Sequence, residues 1–343
     1  MSHPTLDRVA IVMMSAVGDA VHVLPVVNAI KRHRPTCHIT WFLEPLPATL
    51  VRGHPAVDEV VEVKSRGGLT AWRDVVRSHG DREFDVVLDL QVAIKAGLLT
   101  ALLNAPVKLG FDFGRSRDAN WLFTNARIPR HTPQHVQDQY FEFLDVLGVP
   151  HDPVEWAIGP WASEAGWASE LIPPNSPPIA AIVVGTSKAE KDWPAERWVP
   201  VVDALHQRFN MLPALVGGTS ERERAAERLL LERCAHKPLS LLGSGLRKLV
   251  TILNVSALVL TPDTAPLHIA VALGKPVISL MGASDPRRTG PYRASRHLLI
   301  DAYREPGDPP EPLNIRRANM HRITVEQVLE KIALWNRNPS ASP

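Results

Sequence analysis

Residues 257–292 read ALVLTPDTAPLHIAVALGKPVISLMGASDPRRTGPY, and no other stretch constrains the fold as tightly. A short apolar run leads into Pro262-Asp263-Thr264, then a helical pattern, then Gly274-Lys275-Pro276 and a second apolar run. A polar, glycine-containing turn closes it. This is the pattern of a strand–helix–strand unit, with Asp263 and Thr264 at the junction of first strand and helix. Parallel strands joined by a helix need such a crossover. Ligands of open parallel sheets bind outside the carboxyl ends of the strands. A helix N-terminus there offers unpaired amides and a positive dipole end, which suits phosphate. The chemistry is therefore expected around Asp263.

The rest of the chain repeats the alternation. The first half predicts strands at Val9–Met13, Ile39–Leu43, Asp58–Val63, Phe84–Leu88 and Val107–Leu109. It predicts helices at Pro25–Arg32, Leu69–Ser78, Ala93–Leu103 and Val136–Leu147, with residues 110–135 irregular. Glu170–Pro178 (ELIPPNSPP) reads as a stiff linker. Beyond it the pattern restarts, with strands at Ile179–Val184, Leu212–Val216, Ala257–Thr261 and Val277–Met281. Helices are expected at Ala195–Arg208, Ser220–Cys234, Leu246–Leu253 and Ala265–Leu273. A last helix opens at Thr324, with Gln327 at capping-box spacing. The expectation is an α/β protein of two parallel-sheet domains, residues 1–170 and 171–343, facing a cleft, with the last helix free to pack back on the first domain. No repeat is visible at the residue level.

Composition narrows the function. A net charge of only +2 over 343 residues gives no support to nucleic-acid binding. Two distant cysteines, Cys37 and Cys234, argue against a disulfide framework or a zinc site and fit a reducing cytoplasm. The N-terminus lacks the layout of a signal peptide. No apolar run reaches the roughly 18 residues of a membrane span. Dinucleotide (G-x-G-x-x-G), Walker, H-E-x-x-H, C-x-x-C and G-x-S-x-G motifs are absent. So is any D-x-D triplet, a carboxylate pair suited to holding Mg²⁺ on a sugar-nucleotide diphosphate.

Four loops after strands carry candidate residues. Met13–Pro25 places Asp19 at the lip of the first sheet, with Pro25 suited to starting the regular helix. Asp19 reads either as a general base or as a helix cap. Gly185–Pro194 offers Thr186, Ser187 and Lys191 to a diphosphate, or is a solvated helix entry. Val216–Glu223 brings Glu221 or Glu223 toward ribose hydroxyls, or simply seats acids in a first helical turn. Asp263–His268 is the strongest local signal, with His268 facing either the site or the core. Arg287 and Arg288 are cleft cations or a solvated rim. Lys31, Arg32, His33, Arg34, Lys64, Arg66, Arg73, Arg77, Lys95, Arg115 and Arg117 form a scattered basic set; most read as solvated faces, and those after strands could meet an anionic acceptor.

In this order and spacing, Arg8–Pro25, Asp85–Lys95, Gly185–Trp198, Leu215–Arg228, Ala257–Tyr292 and Met320–Glu326 resemble the ADP-heptose:lipopolysaccharide heptosyltransferases of glycosyltransferase family 9. The resemblance implies a GT-B fold of two Rossmann-like domains and inverting transfer without a metal or other cofactor. It implies Asp19 as general base and Lys191 as the lysine that steadies the diphosphate, with Thr186 and Ser187 beside it. Asp263 and Thr264 would contact the donor sugar and phosphates, Glu221 or Glu223 the ribose, and residues 242–245 would lie near adenine. His268 corresponds to the histidine of a D-T-G-x-x-H pattern, in which this chain has Ala265 in place of glycine. The implied partners are ADP-heptose and a lipopolysaccharide core acceptor, with another nucleotide sugar, or mere nucleotide-sugar binding, as alternatives. A lipid-linked acceptor would require peripheral contact with the cytoplasmic face of the inner membrane, through basic and apolar residues of the first half.

Overall fold

The computed structural model describes residues 4–64, 68–305, 307, 308, 313 and 315–337. The chain divides into two compact units, Met1–Thr132 with Val136–Ile158, and Pro133–His135 with Gly159–Pro343.

The first unit runs β1 (Arg8–Val12), α1 (Val17–His33), β2 (His38–Leu43), α2 (Pro45–Val51), β3 (Glu59–Glu62), α3 (Gly68–His79), β4 (Val86–Asp89), α4 (Ile94–Leu102), β5 (Val107–Gly110), β6 (Ala126–Arg127) and α5 (Val136–Leu147). The strands form one sheet in the order β3-β2-β1-β4-β5-β6. Every pairing is parallel, with Val12 beside Phe42 on one side and Asp89 on the other. Val9, Ala10, Ile11 and Val12 are all fully buried. A strand apolar on both faces is what a sheet covered on both sides demands.

The second unit holds α6 (Trp167–Leu171), β7 (Ile179–Val183), α7 (Ala195–Gln207), β8 (Leu212–Val216), α8 (Glu221–Arg233), β9 (Leu239–Ser240), α9 (Leu246–Val255), β10 (Leu258–Pro262), α10 (Ala265–Ala272), β11 (Val277–Met281), α11 (Pro286–Thr289), β12 (Ile300–Asp301) and α12 (Val325–Arg337). Its sheet is ordered β12-β11-β10-β7-β8-β9 and is again all parallel. Counted from its own first strand, this is the order of the first unit. Both are Rossmann-like sheets whose strand order reverses beside the first strand, between β1 and β4 and between β7 and β10. Two such units make the GT-B architecture. The repeat is one of topology, which residue identity does not carry.

Three expectations need correction. Helix α1 begins at Val17, not Pro25, and runs through the proline. An internal proline costs about 3 kcal/mol. The buried run Ala20–Val27 and packing on α5 offset that loss. Pro45–Val51 forms a helix that its two prolines concealed; Pro45 sits at the first position, which tolerates it. The chain passes between the units at residues 158–159, not at the proline-rich stretch. Residues 164–171 are fastened to the second unit by α6 packing on α9 and by a buried Arg247–Glu164 ion pair of 2.6 Å. Helix α12 packs on α7 and β11, in the second unit's core.

Both cysteines are buried free thiols, and burial pushes each up to about 11. Among the described residues no helix is long and apolar enough to cross a membrane.

Candidate active site

In the first unit the carboxyl ends of β1 and β4 are cross-braced. Asp19 is the third residue of α1, and its Oδ2 accepts the Ala16 amide at 3.0 Å. The cap position itself is Ala16, which has no side-chain acceptor, so Asp19 secures the helix entry from inside the first turn. The preceding turn hangs on Gln91. Gln91 Oε1 accepts the Met14 amide at 3.0 Å and its Nε2 donates to Ser15 Oγ at 3.3 Å. Asn120, in the 3₁₀ turn Asn120–Phe123, donates to the carbonyls of Gln91 and Ala93, each at 2.9 Å. Asp89, at the end of β4, accepts the Gln91 amide at 3.3 Å. Burial pushes the Asp89 carboxyl up to about 7, against the hydrogen bonds that favour its charged form.

Much of the basic set is structural. Lys31 pairs with Asp58 at 2.7 Å, Arg32 with Glu155 at 3.0 Å and Arg34 with Asp7 at 2.6 Å. Arg115 is largely buried between Asp112 and Glu142. The exposed cations after β4 and β5 are Lys95 and Arg117.

In the second unit the loops after β7 and β10 converge. Lys191 ends the 3₁₀ turn Ala189–Lys191. Its ammonium donates to Asp263 Oδ2 at 2.6 Å and to the Asp263 carbonyl at 3.2 Å. Thr289 donates to the same Oδ2 at 3.2 Å, and His268 Nε2 lies 3.7 Å from Oδ1. Burial alone would raise the Asp263 carboxyl; His268 and the Lys191 ammonium outweigh it and hold the group well below the usual carboxylate range. His268 is buried and thus serves the site and the core together. Thr264 occupies the N-cap position of α10 without a side-chain capping bond, and Ala265 takes the first helical position, where a methyl group carries no backbone penalty.

Lys191, Arg288 and Arg316 line one small cavity with Asp263, Ser284 and Thr289. Three cations around one buried carboxylate form a centre suited to a polyanion. Arg316 also lies 3.5 Å from Glu190, and Arg287, outside that lining, is paired with Asp285.

The loop carrying Lys191 is itself held. Thr186 is buried; its amide and hydroxyl donate to Asp192 Oδ1 at 2.7 and 2.8 Å. Arg222 donates to Asp192 Oδ2 and to the Thr186 carbonyl, both at 2.8 Å. Thr186 therefore shapes the loop, while Ser187 is exposed on it. The two glutamates separate as well. Glu223 is buried, accepts the Gly218 amide at 2.7 Å and the Ser220 amide at 2.9 Å, and forms a reciprocal capping box with Ser220. A Cβ on Gly185 would meet Glu223 Cγ at 2.5 Å, so the missing side chain is what lets the loops after β7 and β8 touch. Glu221 is exposed at the start of α8. Gly243 donates to the Gly217 carbonyl at 3.1 Å, bringing residues 242–245 beside that turn.

A sequence profile described as glycosyltransferase family 9 (heptosyltransferase) matches residues 72–306. The chain belongs to glycosyltransferase family 9. The lipopolysaccharide core heptosyltransferase OpsX of Haemophilus influenzae is 30% identical over 299 residues, covering 86% of this chain and 84% of that protein. Among solved structures, the Escherichia coli heptosyltransferase WaaC with ADP aligns with a TM-score of 0.77 at 25% identity, covering 95% of this chain and 99% of that one. A family 9 glycosyl transferase from Veillonella parvula aligns with a TM-score of 0.81 at 22% identity, covering 97% and 98%, and shares the fold. As a family 9 member this chain is a glycosyltransferase.

Sequence reasoning missed Gln91, Asn120, Asp192, Arg222 and Arg316. Gln91 lay inside Asp85–Lys95, a segment that carried the resemblance without an assigned task. Asp192 and Arg222 likewise lay inside Gly185–Trp198 and Leu215–Arg228, Asp192 bonding Thr186 in the same loop; Asn120 and Arg316 have no local cue, because their partners lie tens of residues away.

Proposed function

We propose that this family 9 enzyme transfers a heptose from ADP-heptose to an inner-core lipopolysaccharide acceptor, inverting the anomeric centre without a metal ion. The observation that carries the reading is the cavity at the end of β10, where Lys191, Arg288 and Arg316 surround Asp263. It supports binding of a nucleotide diphosphate, and the likeness to a heptosyltransferase with ADP supports adenine as the base. The second unit holds the donor. Lys191 has two donors on Asp263 and one left for a phosphate oxygen. Ser187 and the amides of its loop supply further donors, Thr264 lies at the sugar, and exposed Glu221 is the acid for the ribose. Charge on the leaving diphosphate is met by these fixed cations, a role that a D-x-D-bound metal would otherwise take.

The first unit presents Asp19 to the acceptor hydroxyl. As a general base, its carboxylate takes the hydroxyl proton. The hydroxyl oxygen attacks the anomeric carbon from the face opposite the diphosphate, which leaves as ADP. The acceptor is lipid-linked in this reading, and the enzyme works peripherally on the cytoplasmic face of the inner membrane.

A thermal-shift panel with ADP, UDP, GDP and CMP in EDTA tests the donor assignment. A ligand at 100-fold over its dissociation constant adds about 2.7 kcal/mol. ADP is expected to raise the midpoint and the other nucleotides to leave it. A response confined to UDP or GDP would transfer the site to another donor, and no response to any nucleotide would remove the diphosphate reading.

A further inference from the structure

Helix α4 breaks the ordinary rule for a surface helix, whose outer face is polar. Ala96, Gly97, Leu99 and Thr100 point inward. At 100° per residue, Ile94, Leu98, Ala101 and Leu102 fall on one outer arc, with Lys95 at its edge. Ile94, Leu98 and Leu102 are 42%, 43% and 37% exposed.

The apolar surface continues onto the next element. A Cβ on Gly97 would meet Phe123 Cδ2 at 2.4 Å, so the 3₁₀ turn Asn120–Phe123 lies directly on α4. Leu122 on that turn is 62% exposed. Phe113, equally exposed, meets Trp121 edge-on at 5.2 Å, and the Arg127 guanidinium lies 4.5 Å over the Phe113 ring. Of the nine large hydrophobic residues exposed among the described residues, five belong to this region. Scattered surface hydrophobics need no explanation, but a contiguous patch does.

The rim is basic. Residues 92–130 hold six lysines and arginines against two aspartates, in a chain whose net charge is only +2. Arg115 is taken up by Asp112 and Glu142, which leaves Lys95, Lys108, Arg117, Arg127 and Arg130 against Asp118. Lys95, Arg117 and Arg130 are exposed, and Lys108 reaches the carbonyl of Ala101 at the end of α4. A second copy docked on the same patch would oppose like charges across the interface. An anionic bilayer instead meets the cations with phosphates and takes the apolar side chains into the acyl boundary.

We propose that the outer face of α4, with Leu122 and Phe113, is a docking surface for an anionic phospholipid bilayer. The inference deepens the acceptor side of the proposed function and rests on that reading for its purpose. It would bring the β4 and β5 end of the first unit to the membrane in which a lipid-linked acceptor resides.

Vesicle flotation of the full chain tests it with no donor or acceptor present. The chain is expected to float with phosphatidylcholine vesicles containing phosphatidylglycerol, to stay behind with phosphatidylcholine alone, and to be released by salt. Leu98→Gln with Leu122→Gln should lower the partition at least ~tenfold. Lys95→Gln or Arg117→Gln should each lower it about fivefold. Unchanged unfolding midpoints will verify the fold, since these side chains are exposed. No flotation with anionic vesicles, equal flotation with both vesicle types, or full flotation of the Leu98/Leu122 variant overturns the proposal. So does a wild-type dimer in light scattering that the same variant dissolves. Flotation without sugar transfer would keep the docking surface and refute the transferase reading; transfer without flotation would do the reverse.

Discussion

Asp89 sits where burial, not pairing, sets its behaviour. Its carboxyl is raised to about 7 from a reference near 3.9. A raised carboxyl favours folding most below the unfolded value, and that contribution fades as pH rises through the folded one. Melting temperatures from pH 5 to 8 should therefore fall for the native chain and stay flatter for Asp89→Asn. Parallel curves for the two would contradict the assignment. At Lys191 pairing governs instead, since its partner Asp263 is held charged. Removing one member of a buried pair costs about 3–5 kcal/mol. Lys191→Ala should thus lose stability at neutral pH as well as ADP affinity, by both calorimetry and denaturation; unchanged values in both would sink its role. At Gln91 the expected outcome is kinetic. Gln91→Ala frees the Met14 amide and Ser15, so turnover should drop by tenfold or more while ADP affinity, read on the other unit, holds. The position of Asp263 at the end of a strand was legible in the sequence, because an apolar run stops there, and Asp19 and Lys191 were legible as polar residues in the segments that follow such runs. Arg222 and Gln91 were not, because a hydrogen bond between distant loops leaves no local periodicity. Thr186 and Glu223 were legible as site residues, but their polar atoms turn out to hold the loops.

The elements that present these residues are anchored by apolar side chains outside the chemistry. Trp193 follows the Lys191 loop, is 1% exposed and packs edge-on against Trp198 at 4.7 Å. Its indole donates to the Ile323 carbonyl at 3.0 Å, and Arg197 reaches the His321 carbonyl at 2.7 Å, which tethers the start of α7 to the segment before α12. Trp193→Ala is expected to destabilise by about 3–5 kcal/mol in urea denaturation. A loss under 1 kcal/mol would mean the loop is fixed some other way. Parallel strands were easy to read, as continuous β-branched runs. Helix starts were harder: Pro25 looked like an entrance yet lies mid-helix, since burial along α1 outweighs the missing backbone bond. The two-residue strands β6, β9 and β12 are set by pairing at sheet edges and carry no pattern of their own.

Across the whole molecule, one strand order is used twice, and each copy puts its polar residues at the point where that order reverses. The first copy offers a carboxylate, Asp19, on a braced turn. The second offers cations around Asp263. This division predicts that the variants separate: Asp19→Asn should abolish transfer yet keep ADP binding, whereas Lys191→Ala should impair both. The most direct measurement is a transfer assay with ADP-heptose and a heptose-deficient lipopolysaccharide acceptor in EDTA, with the new linkage analysed by NMR. ADP release is expected to match a heptosylated product of inverted anomeric configuration, undiminished by the chelator and lost in Asp19→Asn. Retained configuration, dependence on added metal, or near-normal turnover of Asp19→Asn would contradict it.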